Sequence, residues 1–366
     1  MNLTLVLISL FVILGLISPN TPQGRKNFII ISCLLLLLSA SLRSLSYGQV
    51  GNDTMNYFHM FTNISESSWS EIWDMFVARY FASGGEEDIG FLVLMKLISY
   101  ITSSFHAFTF IAELLFFIPF GIYLYRFSNG ILELIFAFIF YTALVHTHAM
   151  SGARQFYAMG FGILVFLYFS KKEYKKAVIS LLLGVTIHLS LLLVVLPCLV
   201  AYLTPKQMKT IHITLFILFP IVMLMPNQII SFMGNVIGVE RYANYGSQDV
   251  VGGTETFIFL LELLSLICYI GISKRDIENS NDIKNLYAMI PCFTFFCPLI
   301  YSNGSMIRIS MYSYMYLTLL LPYALKGIFK NNYKEAMWIF ILALSFLMKG
   351  SVTYHFFWEV DPIYTW

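Results

Sequence analysis

Charge is scarce in this chain. Asp, Glu, Lys and Arg make up 11% of its 366 residues, less than half the share of about 25% found in soluble domains. Together with 58% hydrophobic residues and a mean hydropathy of +0.75, that scarcity excludes a soluble globular reading. Cysteine is sparse as well. Cys33, Cys198, Cys268, Cys292 and Cys297 all fall inside apolar runs, where a thiol serves as a small packing residue. Neither a disulfide framework nor a metal site is indicated. The stretch Leu3 to Ile17 has no basic region before it and no small-x-small cleavage site after it, so it reads as a retained helix and not a leader. The short alternating segments of a membrane β-barrel are absent too.

Long apolar runs are abundant. They cover residues 3–18, 27–45, 90–104, 106–125, 131–149, 154–170, 177–202, 211–226, 256–273, 285–302, 308–326 and 335–349. A spanning helix needs roughly 20 residues, and these runs predict an all-α polytopic membrane protein with about 11–12 transmembrane helices, one membrane domain over 1–366 and no soluble domain. Basic residues mark the cytoplasmic loops: Arg25 with Lys26, Arg126, the cluster Lys171 to Lys176, Lys206 with Lys209, Lys274 with Arg275, and Lys326, Lys330 and Lys334. The polar stretch 46–89 carries seven acidic residues against one arginine, Arg79, and belongs outside. Two segments then break the parity of crossings. Segment 90–104 reads as a helix lying at the outer interface. Segment 177–202 enters and returns as a short hairpin turning at His188-Leu189-Ser190. The external parts are 46–105, 227–255 and the tail 350–366. No inverted pair of broken helices of the transporter kind is visible.

An ionisable side chain in or near a membrane segment is costly and marks a candidate site. Arg43, Asp53, Arg154, His188, Arg241 and Arg308 all fall on the predicted outer side. Arginine offers a planar fork of donors to phosphate or carboxylate, so several outer arginines indicate an anionic ligand such as a diphosphate. Asp53, between Asn52 and Thr54, suits either a helix cap or a carboxylate at a cavity mouth that acts as a base. His188 suits either a hairpin lock or a general base titrating near neutrality. Glu113 and Glu262, inside apolar helices, suit pairing with arginine or with helix ends, or a proton path. The loop 227–255 and the tail 350–366 mix polar and aromatic residues, a composition that fits sugar or an interfacial aromatic belt.

Arg43 closing the second helix, the turn Gly51-Asn52-Asp53-Thr54 with Tyr57, the start Gly90-Phe91, then Arg154-Gln155, His188-x-Ser190, Arg241-Tyr242, Arg308 before a Tyr-rich helix, and Pro362-x-Tyr364 follow one another in this order. This order resembles the EpsG family of Wzy-type polysaccharide polymerases. The resemblance implies a GT-C-like membrane glycosyltransferase, metal-independent and without cofactor, set in the bacterial cytoplasmic (inner) membrane with its active site facing the exterior. The reaction implied joins undecaprenyl-diphosphate-linked oligosaccharide repeat units into O-antigen, capsule or exopolysaccharide. It implies His188 and Asp53 as catalytic residues and Arg154 and Arg308 at the diphosphate; Arg241, Arg43, Gln155 and Tyr242 complete the set of expected substrate-binding residues. No Asp-x-Asp metal motif occurs in the chain. The partners implied are lipid-linked glycans, membrane lipids, a chain-length regulator and a flippase, with no nucleic acid. A flippase of lipid-linked oligosaccharide, or another GT-C transferase such as an O-antigen ligase, is the alternative.

Overall fold

A computed structural model describes residues 2–45, 53–81, 88–237, 254–301, 306–347 and 354–360. Among these residues helix dominates, and the only extended pairing is a single antiparallel bridge between Arg43 and Phe356. The helix starts follow local chemistry. Asn2 accepts from Leu5 N–H ahead of α1, Leu3–Ile17. Thr21 accepts from Gly24 N–H ahead of α2, Pro22–Ser41, whose first residue is a proline. Each cap satisfies a donor that the first helical turn leaves without an intrahelical acceptor.

Four helices among the described residues are long and apolar enough to cross a membrane: Pro22–Ser41, Phe105–Phe127, Pro205–Leu224 and Asn281–Tyr301. Shorter apolar helices accompany them, and the protein is an all-α polytopic membrane protein. The runs predicted at 285–302 and 308–326 are broken locally. Asn281–Tyr287, Met289–Phe296 and a 3₁₀ turn Cys297–Tyr301 share the first; Ile307–Tyr314 and Leu317–Phe329 share the second.

The backbone gathers into two compact units, residues 1–192 with 339–366 and residues 193–338. In the first, α3 (Asp53–Glu66), α4 (Trp69–Phe81) and α5 (Ile89–Ser99) precede α6 (Phe105–Phe127) and α7 (Ile131–Tyr141). A π-helical turn Thr142–His146 and the short α8 (Thr147–Ser151) lead to a break at Gly152, after which α9 (Ala153–Ser170) and α10 (Tyr174–Ile187) form an antiparallel pair. At 11 residues, α5 is roughly 16 Å long, too short to cross the ~30 Å hydrocarbon core, as its sequence predicts. The centre of the unit is aromatic: Phe116, Phe120, Phe138, Tyr141 and Phe156 pack with ring centroids 4.1 to 6.1 Å apart.

The second unit holds Pro205–Leu224, Thr254–Gly271, Leu317–Phe329 and the broken helices between them. A buried polar chain crosses it: His212 lies 2.7 Å from the Tyr287 hydroxyl and 2.8 Å from Ser265 Oγ, which in turn meets Thr294 at 2.6 Å. Such groups are tolerated in an apolar interior because they satisfy one another.

Candidate functional site

The ends of the first unit differ in chemistry. At one end Arg25 donates to the Ser128 carbonyl (2.6 Å) and Arg126 to the Leu167 carbonyl (3.4 Å). Lys171 and Lys172 sit in the adjoining α9–α10 turn, and Lys175 and Lys176 in the first turn of α10. At the other end the last turn of α2 meets the start of α6, where His106 Nδ1 lies 2.9 Å from the Ser41 carbonyl. That second end also holds the starts of α3, α5 and α9 and the end of α10. It is there that most of the predicted polar residues of this unit lie.

Helix α10 stops at Ile187, and His188 is extended (φ −158°, ψ 114°) before a 3₁₀ turn from Leu189 to Val194. Leu191 lies back against Gly184, closer than a continued helix would bring it. The break falls at the predicted position. Against it packs the start of α5. A Cβ added at Gly90 would collide with both the side chain and the backbone of Thr186, so only glycine lets α5 approach this closely. The approach sets Asp88, the N-cap residue of α5, beside His188.

Asp88 is 4% exposed, and its side chain makes no capping bond to its own helix. Its Oδ2 lies 3.2 Å from His188 Nδ1 and 3.9 Å from Arg154 Nη1. The Arg154 guanidinium, on the first turn of α9, rests over the rings of Tyr57 (5.7 Å) and Phe91 (6.0 Å), which meet each other edge-on at 5.5 Å. The carboxylate is enclosed, while the Arg154 and His188 side chains are 18% and 26% exposed. The cluster is therefore held from within and open on its cationic side. With Nδ1 turned to the carboxylate, the imidazole directs Nε2 the other way, in the relation by which a carboxylate orients a base. At 3.9 Å the Arg154–Asp88 pair is longer than the 2.7–2.9 Å of a tight charge-assisted hydrogen bond.

Arg43 has a different setting. It is 3% exposed; Nη1 lies 3.7 Å from Glu113, Nη2 donates to the Met150 carbonyl at 3.0 Å and contacts Thr54 Oγ1 at 3.5 Å, and Nη1 also bonds the Ala40 carbonyl. One side chain thus ties the end of α2 to α3, α6 and α8. Glu113 takes the pairing role read from the sequence. Asp53, half-buried, opens α3, where a carboxylate suits the positive helix end, and Tyr57 is one turn further on. Gln155 is 3% exposed beside Arg154. The segment at 354–357 covers this end: Tyr354 donates to the Ser39 carbonyl (2.7 Å), His355 and Leu42 carbonyls accept from Ser44 and Phe357 N–H, and Phe357 stacks on His106 at 4.4 Å.

Arg154, His188, Gln155, Arg43 and Asp53 accordingly share one end of the first unit. Arg308, half-buried at the start of Ile307–Tyr314, belongs to the second unit. Arg241, Tyr242, Gly51, Asn52, Pro362 and Tyr364 lie outside the described residues. Asp88 is the residue that sequence reasoning missed. It stands among Glu86, Glu87 and Asp88 as one more acidic loop residue, and its sole distinguishing signal is its place two residues before Gly90.

No curated protein and no solved structure matches the chain. A family model described as the EpsG family matches residues 26–358, most of the chain, and the span takes in every residue of the cluster. The chain belongs to the EpsG family, a family of membrane proteins with a polysaccharide polymerase-like role.

Proposed function

We propose that this protein is a glycosyltransferase that joins polyprenyl-diphosphate-linked oligosaccharide repeat units on the outer face of the cytoplasmic membrane. The observation that carries the reading is the shared contact of Asp88 with His188 and Arg154, at the end of the first unit opposite its own basic loops. Basic loops remain in the cytoplasm, which directs the cluster outward, where surface polysaccharide is assembled.

In this reading an acceptor sugar hydroxyl attacks the anomeric carbon of the donor glycan. The bond from that carbon to the diphosphate oxygen breaks, and the lipid diphosphate leaves with the electron pair. Arg154 binds the diphosphate and stabilises the charge that accumulates on it, a term worth several kcal/mol when a preorganised donor meets developing charge in a site shielded from water. His188 Nε2 receives the hydroxyl proton, with Asp88 holding the ring. Arg308 and Arg241 are further candidates for the anionic substrate. Arg43 acts as scaffold to the site end, since any ligand reaching it must displace Glu113, Thr54 and Met150. Asp53 stands at the head of α3, where it can bind acceptor hydroxyls.

The test is polymerisation by purified protein in detergent, supplied with a lipid-linked repeat unit. Growth of the glycan on its lipid is the expected result. A protein that moves such lipids across a bilayer without joining them forms no product where there are no sides, so absence of elongation by folded protein would overturn the proposal.

A further inference from the structure

On a flank of the first unit, helices α2 and α6 run antiparallel and leave a groove of about 550 Å³ between them. Lys26 and Tyr125 stand at its mouth, at the basic end of the bundle, and Leu37 and Leu114 lie at its far end. Its floor is formed where Cys33 faces Gly121. A Cβ at Gly121 would lie 3.3 Å from Ile29 Cγ2 and 3.8 Å from Cys33 Sγ, so the two helices lie close here and close the floor of the groove. Its rims are apolar and outward-facing: Ile30, Leu34, Ile118 and Ile122 are 45 to 57% exposed, as suits side chains that meet lipid.

Length and charge identify what fits. From Lys26 to Leu37 the helix rises roughly 16 Å, about half of the ~30 Å hydrocarbon core. The groove is thus one leaflet deep and begins at the headgroup level. Lys26 is exposed. Arg25 stands behind the mouth, its guanidinium 5.6 Å from the Tyr125 ring centroid. No acidic residue lines the groove among the described residues. A basic mouth on an apolar, leaflet-deep slot matches a negatively charged headgroup joined to an acyl chain.

We infer that this groove is a binding site for an anionic phospholipid of the leaflet at the basic end. One acyl chain fills the slot over Gly121 and Cys33, and the phosphate sits at Lys26 beside the Tyr125 hydroxyl. The inference stands apart from the chemistry proposed for the opposite end of the bundle.

The full-length protein in detergent is titrated with phosphatidylglycerol, phosphatidylcholine and a polyprenyl monophosphate, and retained lipid is counted by native mass spectrometry. Phosphatidylglycerol is expected to be retained about fivefold more than phosphatidylcholine. Lys26→Gln, at an exposed position, should abolish that preference, and Gly121→Leu should reduce retention of both phospholipids by filling the slot. Lys26→Gln alone decides the matter where Gly121→Leu fails to fold. Equal retention of the two phospholipids by the wild-type protein, a preference that survives Lys26→Gln, or displacement of phosphatidylglycerol by the polyprenyl phosphate would each overturn the assignment.

Discussion

Asp88 Oδ2 and His188 Nδ1 lie 3.2 Å apart, joining residues a hundred positions apart in the chain. An imidazole held in this way acts as one unit with its carboxylate, and the loss from removing both members should not exceed the larger single loss. Asp88→Asn keeps the shape and removes the charge, and His188→Ala removes the base. General-base catalysis typically contributes a factor of 10²–10⁴, so His188→Ala should slow turnover by about 10² or more and Asp88→Asn by about 10-fold or more. The double variant should be no slower than His188→Ala alone. Rates of glycan elongation for the three variants measure this, and independent, multiplying losses would show that the two residues do not act together.

Arg154 is expected to matter more than Asp53. Arg154 acts on the charge of the leaving diphosphate, whereas Asp53, at the head of α3, acts on the acceptor hydroxyls alone. Removing one preorganised donor commonly costs about 10²–10³ in rate, and Arg154→Ala and Arg308→Ala should each fall near that range, with Asp53→Asn milder. Arg154→Lys should rescue poorly, because a lysine keeps the charge but loses both the fork and the flat face that lies over Tyr57 and Phe91. Near wild-type chain lengths from both arginine-to-alanine variants would remove arginine from the mechanism.

Much of this architecture is legible in the sequence because its signals are local. Asn2 and Thr21 cap the helices they precede, and the helix break at His188 follows from two basic loops that leave no room for a single crossing. Arg154 and His188 stand out because each is a polar residue in apolar surroundings. Asp88 does not, since its partner is a hundred residues away and its neighbours Glu86 and Glu87 make it look like solvated loop. Arg43 looks as exposed as Arg154 in the sequence, and only the packing of Glu113 on a neighbouring helix turns it inward. The division of the backbone at residue 193 has no counterpart in composition, because both sides of the boundary are equally apolar.

Gly90 offers a test of geometry separate from chemistry. Valine there would force α5 away from Thr186, and overpacking of this kind typically costs about 1–3 kcal/mol. Movement of α5 carries Asp88 away from His188, so activity should fall further than stability does. Thermal unfolding in detergent and elongation rate, measured on the same Gly90→Val preparation, separate the two. A variant that unfolds earlier yet elongates normally would show that the α5–α10 contact does not position the cluster.

Arg43 and Glu113 should show the opposite pattern, with stability falling first. Both side chains are 4% exposed, so Arg43→Ala leaves a carboxylate enclosed without its counter-charge, and breaking a buried pair on one side costs about 3–5 kcal/mol. Replacing both members with apolar residues of similar volume, Arg43→Met with Glu113→Leu, removes the enclosed charge and should recover most of that loss. The bonds from Arg43 to Thr54 and the Met150 carbonyl would still be missing, so α3 and the turn before Arg154 should loosen, and elongation should remain slow in a protein that unfolds almost normally. Denaturation midpoints for the single and double variants test the first point, and elongation rates test the second. If the double variant is less stable than Arg43→Ala, the pair contributes more through its hydrogen bonds than the enclosed charge costs, and Arg43 would be a stabilising centre of the fold in its own right.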